Sequence, residues 1–125
     1  MIIITKLHFR PKEFLHKNLF STKVDIFSFG VVLFEIATGL KAHDKTKKNP
    51  FLYDQMSKID ETSVESIKRV IDQTTPNDSA CYNLCELMIY LGKKCCDHNP
   101  NYRPDMTSVL KALETFVPII VTESK

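Results

Sequence analysis

The stretch from Lys23 to Gly39 constrains the fold of this sequence more than any other segment. Plotted at 100° per residue, its apolar side chains surround the helix axis instead of lining one face, which predicts a buried central helix over about residues 22–38. Asp25 and Glu35 argue against a membrane span, and Gly39 is placed to end the helix because glycine tolerates a positive φ. The apolar residues are Val24, Ile26, Phe27, Phe29, Val31, Val32, Leu33, Phe34, Ile36 and Ala37.

Four shorter helices are predicted downstream, and no β-sheet. Thr62–Glu65 has the pattern of a capping box, Asp78 or Ser79 is placed to cap the next helix, and Asp105 the last one. Pro118 is expected to end the last helix because proline lacks an amide donor. The predicted fold is therefore all-α, with further helices at about 51–58, 63–72, 79–96 and 105–117.

The composition narrows the classes of function. The chain has 125 residues, enough for one small domain, and a net charge of +2, which does not indicate nucleic-acid binding. No apolar run has the roughly 18 residues of a membrane span. No secretory signal is recognised at Met1–Ile4, so reduced thiols and a cytoplasmic location are expected for the four cysteines, Cys81, Cys85, Cys95 and Cys96.

No residue pattern predicts a catalytic, cofactor-binding or metal site. The three glycines Gly30, Gly39 and Gly92 cannot supply a glycine-rich phosphate loop. The cysteine spacing differs from the C-x2-C pattern of zinc modules, and buried small side chains explain it better. A metal-binding helical domain is kept as the weakest alternative, after the two that follow from the resemblance described below.

Two segments carry a resemblance to protein kinases. Residues 23–39 read KVDIFSFGVVLFEIATG, which resembles the central buried helix (helix F) of the kinase C-terminal lobe. Residues 96–106 read CDHNPNYRPDM, which resembles the kinase segment C-x-x-x-x-P-x-x-R-P-x-M before the last helix. The order and separation of the two segments also fit that family.

A third, partial match lies at Pro11–Phe14, where kinases carry Ala-Pro-Glu at the end of the activation segment. Glu13 stands at the glutamate position, and Lys12 replaces the usual proline. Ser21-Thr22 and the residues after it are similar to the Pelle and interleukin-1-receptor-associated serine/threonine kinases. The resemblance implies a partial kinase domain over residues 11–117, an irregular lead-in at 1–10, a tail at 118–125, and no N-lobe sheet.

The resemblance also implies structural roles for matched residues. Asp25 is expected to accept hydrogen bonds from the catalytic loop of a kinase, and Glu13 to form a buried ion pair with Arg103. Gly30 and Pro104 complete the set of expected structural residues.

The resemblance implies a catalytic parent domain and a chain without catalysis of its own. The parent would use ATP and Mg²⁺ to phosphorylate protein serine or threonine in Toll/interleukin-1-receptor-type signalling. The sequence has no His-Arg-Asp loop and no Asp-Phe-Gly motif, so the isolated chain is predicted to be non-catalytic and without a cofactor. Expected partners are the rest of the kinase domain and substrate or adaptor proteins. A stand-alone interaction module, or a dominant-negative kinase-like protein, is the alternative.

Overall fold

The computed structural model describes the backbone of residues 22–123 and the side chains of residues 22–116. Regular structure in this part of the chain is helical, apart from an isolated β-bridge between His43 and Phe51. The all-α prediction is therefore confirmed for the described residues. The helices are α1 (Thr22–Thr38), α2 (Leu52–Ser57), α3 (Val64–Val70), α4 (Ser79–Cys95) and α5 (Met106–Glu123), with a 3-10 turn at Pro100–Tyr102.

Helix α1 begins and ends where the sequence predicts. At its end, Gly39 has a φ of 71° and donates its amide to the carbonyl of Glu35 at 2.9 Å. A side chain at this position would strain the backbone and would meet the carboxylate of Asp72. The amide of Asp72 in turn donates to the carbonyl of Ala37, so the turn after α1 is held from both sides.

The hydrophobic core forms where α1 packs against α4 and α2. The rings of Phe27 and Phe34 on α1 are fully buried, and each such ring contributes about 1.5–3 kcal/mol of transfer free energy. The other helices fill the space around them with fully buried aliphatic and sulfur side chains, which are Leu52, Met56, Ile67, Ile89, Cys95 and Val109.

The buried face of α4 differs in part from the predicted stripe. The sequence places Cys81, Leu84, Leu87 or Met88, Leu91 and Cys95 on one face. In the structure Cys81 and Leu87 are half-buried, while Cys85, Ile89 and Gly92 join Met88, Leu91 and Cys95 in the core. Gly92 lies in the middle of this buried face, and the ring of Phe34 packs directly against it.

Helices α4 and α5 begin at aspartate caps. The carboxylate of Asp78 accepts a hydrogen bond from the amide of Cys81 at 2.8 Å. The carboxylate of Asp105 accepts one from the amide of Ser108, also at 2.8 Å. Both satisfy amides that have no partner within their helices, which confirms the two caps expected from the sequence.

The cap of α3 lies one residue after Thr62, the residue that the predicted capping box makes the cap. The hydroxyl of Ser63, not that of Thr62, accepts the helix amide, which comes from Ser66 at 3.2 Å. The hydroxyl and amide of Thr62 instead donate to Asp60, at 2.6 and 2.9 Å. A local turn therefore competes successfully for the threonine.

The same local turn occurs three times in the loops between residues 39 and 78. Each begins with an aspartate whose Oδ1 accepts both the amide and the hydroxyl of a threonine two residues later. Asx turns of this kind fix the path of a loop without help from distant residues. The pairs are Asp44 and Thr46, Asp60 and Thr62, and Asp72 and Thr74.

Helix α5 continues past the proline that was expected to end it. Its backbone is helical from Met106 to Glu123, so the end predicted at Pro118 is wrong. A proline removes its own amide donor and disturbs one turn, but the remaining hydrogen bonds of a helix still form on either side. None of the helices in the described part of the chain is long and apolar enough to cross a membrane.

Two glycines allow α1 and α4 to approach closely. A Cβ atom at Gly30 would lie 2.7 Å from the Cβ of Cys95 and 2.8 Å from the Sγ of Cys96. A Cβ atom at Gly92 would lie 2.5 Å from the ring of Phe34. Each helix therefore presents a glycine to the other, and neither position has room for a larger residue.

Gly30→Ala and Gly92→Ala should each destabilise the fold. The overpacking cost of about 1–3 kcal/mol outweighs the gain of up to about 1 kcal/mol in helix propensity. Urea unfolding followed by circular dichroism measures the net loss. Asn83→Ala, at an exposed position of α4, is the matched control and should not lose stability. A Gly30→Ala variant as stable as this control would contradict the close contact.

Acid should weaken the fold through the capping aspartates. Amide hydrogen bonds from Cys81 and Ser108 hold the pKa values of Asp78 and Asp105 below the ordinary 3.8. A carboxyl group whose pKa is lower in the folded state stabilises the fold above its unfolded pKa, and this contribution is lost as pH falls through the folded value. Stability should therefore decline as pH falls below about 4.

The double variant Asp78→Asn/Asp105→Asn should flatten this pH dependence, because asparagine caps a helix without titrating. Urea unfolding free energies between about pH 6 and pH 2.5 provide the measurement. Asp54→Asn, in the first turn of α2, is the control. If the unfolding free energy of the double variant falls with pH as steeply as that of the original chain, the explanation is wrong.

Candidate functional site

The family motifs meet where the start of α1 lies against the loop of residues 96–105. Arg103 is only 2% exposed. Its Nε donates to the carbonyl of Asp97 at 2.8 Å, and its Nη1 donates to the carbonyl of Lys23 at 3.2 Å. Its guanidinium carbon lies 4.9 Å from the ring centroid of Phe27, within the range of a cation–π contact.

Lys23 completes a reciprocal connection with this arginine. The Nζ of Lys23 donates to the carbonyl of Arg103 at 2.7 Å, while Arg103 donates to the carbonyl of Lys23. Each residue therefore binds the backbone of the other, across 80 positions of sequence. We call this pair of contacts the Lys23–Arg103 clasp.

The loop that carries Arg103 is shaped by its own side chains. The carboxylate of Asp97 accepts the amide of Asn99 at 2.9 Å, and the amide oxygen of Asn99 accepts the amide of Asn101 at 3.0 Å. Arg103 itself has an extended backbone, with φ −72° and ψ 139°. This conformation is the one favoured before a proline, and Pro104 follows.

The structure describes four of the five expected structural residues, and all four lie around the loop of residues 96–105. Arg103 is buried, Pro104 follows it, and Gly30 packs against the end of α4 next to the same loop. Asp25 lies in the first turn of α1 with an exposed side chain. Glu13 lies outside the described residues, so its pairing with Arg103 stays a prediction.

No sequence pattern indicated the part that Lys23 takes in the clasp. A lysine at the start of a helix is usually solvated, and nothing in the local pattern indicates a carbonyl acceptor 80 residues away. The match of Arg103 to the kinase segment could have pointed to such a contact, because a buried guanidinium needs hydrogen-bond acceptors nearby.

The four cysteines are free thiols, and two of them lie next to this site. Burial raises the pKa of the Cys95 thiol to about 11, and it raises that of Cys96 well above 9.0. Cys96 also lies 3.5 Å from the carbonyl oxygen of Phe27. Both residues therefore act as small packing groups at neutral pH, and not as nucleophiles.

Among the described residues, no three histidine, cysteine, aspartate or glutamate side chains converge where they could hold a metal ion. The clasp holds the backbone of the 96–105 loop against the start of α1.

Helix α1 also has one open apolar strip. Phe29, Val32 and Ile36 lie along the side turned away from α4, at the spacing i, i+3 and i+7. Phe29 is half-buried, Val32 is 37% exposed and Ile36 is 59% exposed. The exposed Asp25 continues the same strip by one turn. The described residues therefore cover the central helix on all sides but this one.

Replacing either half of the clasp should destabilise the fold to different degrees. Lys23→Met removes one charge-assisted hydrogen bond and should cost about 1–2 kcal/mol. Arg103→Lys should cost about 2–4 kcal/mol, because a single ammonium cannot reach both carbonyls and loses the planar contact with Phe27. Lys111→Met, at an exposed position of α5, is the control. Unfolding free energies from urea titration decide the order, and equal losses for Arg103→Lys and the control would contradict the clasp.

Comparison with known proteins agrees with this geometry. The family model for protein tyrosine and serine/threonine kinases matches residues 4–113. The serine/threonine-protein kinase pelle of Drosophila melanogaster is 30% identical over 115 residues, which cover 90% of this chain. Interleukin-1 receptor-associated kinase 3 of Mus musculus is 27% identical over 113 residues, also covering 90%. The inactive serine/threonine-protein kinase BKN2 of Arabidopsis thaliana is 33% identical over 119 residues, covering 87%.

The matched region is a limited part of each relative. It covers 23% of pelle, 18% of interleukin-1 receptor-associated kinase 3 and 32% of BKN2. The helices that the sequence shares with these proteins are those of the C-terminal lobe, and the N-lobe sheet does not occur among the described residues. The chain belongs to the protein tyrosine and serine/threonine kinase family.

Proposed function

We propose that this chain forms the supporting part of the C-terminal lobe of a serine/threonine protein kinase domain. The observation that carries the proposal is the open apolar strip of α1, formed by Phe29, Val32 and Ile36 with Asp25 at its end. A contiguous exposed apolar surface on a central helix marks a place that another part of the protein covers. In a kinase domain the catalytic loop lies against this region, and Asp25 holds its backbone.

Phosphoryl transfer belongs, in this proposal, to the complete parent domain. The sequence of 125 residues has no His-Arg-Asp loop, no Asp-Phe-Gly motif and no glycine-rich loop. Those segments position ATP and Mg²⁺ in kinases, and catalysis of this reaction consists mainly of positioning and charge stabilisation. The isolated chain therefore takes no cofactor and transfers no phosphate, while Arg103 and Lys23 hold the lobe in shape for the parent.

The proposed setting is signalling of the Toll/interleukin-1-receptor type, in the cytoplasm. The likeness to pelle and to interleukin-1 receptor-associated kinase 3 supports it, and so do the four free thiols. The partners in this proposal are the remainder of the kinase domain and the substrate or adaptor proteins that such a kinase contacts.

A second candidate is a non-catalytic interaction module that competes with an active kinase for its partners. The likeness to BKN2, which is named an inactive kinase, favours this reading. Both candidates use the same scaffold, and they differ in whether a catalytic loop covers the strip on α1.

Transfer of labelled phosphate from ATP to a generic protein substrate separates the candidates. We expect no transfer by the isolated 125-residue chain and measurable transfer by the protein translated from the full-length transcript. In that longer protein, Asp25→Asn should lower kcat by about tenfold or more because the catalytic loop is misplaced, whereas Asp54→Asn should leave it unchanged. Transfer by the isolated chain would sink the first proposal, and a stable, inactive full-length product would favour the second.

A further inference from the structure

The outer face of α4, opposite its contact with α1, carries a groove. Four α4 residues spaced i, i+3, i+4 and i+7 form its floor, with the loop before α3 on one side and α5 on the other. The groove has a volume of about 450 Å³. We call it the outer groove, and its lining residues are Glu61, Asn83, Glu86, Leu87, Tyr90 and Phe116.

The described residues that line the outer groove carry negative charge only. They include two carboxylates, Glu61 and Glu86, and no cationic side chain. Glu61 is partly neutralised, since the Nζ of Lys93 lies 3.2 Å from its Oε2 and also donates to the carbonyl of Ile59. Glu86 is bound only by a neutral donor among the described residues, the hydroxyl of Tyr82 at 3.2 Å. No cationic side chain among the described residues forms an ion pair with Glu86.

The rest of the lining is apolar and aromatic. Leu87 and Phe116 are half-buried, and the ring of Tyr90 is 43% exposed. The ammonium of Lys94 lies 4.9 Å from the centroid of that ring, so a lysine of the chain itself already contacts part of its surface. A ligand for this groove must therefore offer an apolar stem and a positive head.

We propose that the outer groove binds a segment of a partner protein that presents an arginine beside an aliphatic residue. The aliphatic parts cover Leu87 and Phe116, and the guanidinium pairs with Glu86 next to the ring of Tyr90. Arginine suits this site better than lysine because its planar head pairs with a carboxylate through two hydrogen bonds and stacks on aromatic rings. An acidic segment is excluded by charge, and a wholly apolar one leaves a carboxylate covered and unpaired. This surface lies apart from the open strip of α1 and does not depend on catalysis.

Fluorescence anisotropy with short labelled peptides tests the proposal on the full 125-residue chain, once circular dichroism shows it to be helical. The probe has a Leu-Arg-Leu core between glycine and serine residues, and the matched probe has neutral citrulline in place of arginine. We expect saturable binding of the arginine probe and binding of the citrulline probe about fivefold weaker. Glu86→Gln keeps a hydrogen-bond acceptor for Tyr82 but removes the charge, and it should weaken the arginine probe by a similar factor.

The combination of variant and probe is the decisive measurement. If the arginine contacts Glu86, replacing it by citrulline should have little further effect in the Glu86→Gln variant, as in a double-mutant cycle. Glu114→Gln, at an exposed position of α5 outside the groove, is the control. Additive losses, an equal loss in the control, or no binding would overturn the proposal. Self-association abolished by Tyr90→Ala would also overturn it, in favour of a second copy of the chain.

Discussion

The close approach of α1 and α4 at Gly30 and Gly92 is the contact on which the other elements depend. Backbone atoms of one helix there meet a ring or a thiol of the other, so the two helices cannot shift without a clash. The guanidinium of Arg103 lies over the buried ring of Phe27, which also contacts the ring of Tyr53 on α2. A buried cation is tolerated at this place because carbonyl oxygens and an aromatic face surround it.

The two faces of α4 serve different purposes. The inner face packs against the helix that carries the family motif, and its residues are constrained by volume. The outer face carries Glu86, Leu87 and Tyr90, which line the outer groove together with Phe116 of α5. The motif shared with the kinase family lies on α1, which packs against the inner face of α4. It makes no prediction about the groove formed by Glu86, Tyr90 and their neighbours.

Sequence patterns predicted the helices and caps of this fold more accurately than they predicted the contacts between the helices. The bounds of α1, its stop at Gly39 and the caps at Asp78 and Asp105 follow from local chemistry, and the structure confirms them. Two features depend on distant contacts that local patterns do not indicate. The clasp at Lys23 joins residues 80 positions apart, and the ring of Phe34 packs on Gly92 in the buried face of α4. The helical backbone at Pro118 is a third difference from the prediction, because proline is compatible with a helix that continues on either side of it.

The three aspartate–threonine turns have a consequence for how the chain folds. Each joins residues two positions apart, at Asp44, Asp60 and Asp72, so its formation closes no long loop and needs no partner helix. Such local turns form faster than contacts between distant segments. We therefore expect the three turns to form before α1 pairs with α4. Fewer wrong pairings are then within reach, and the native one is found by a shorter search.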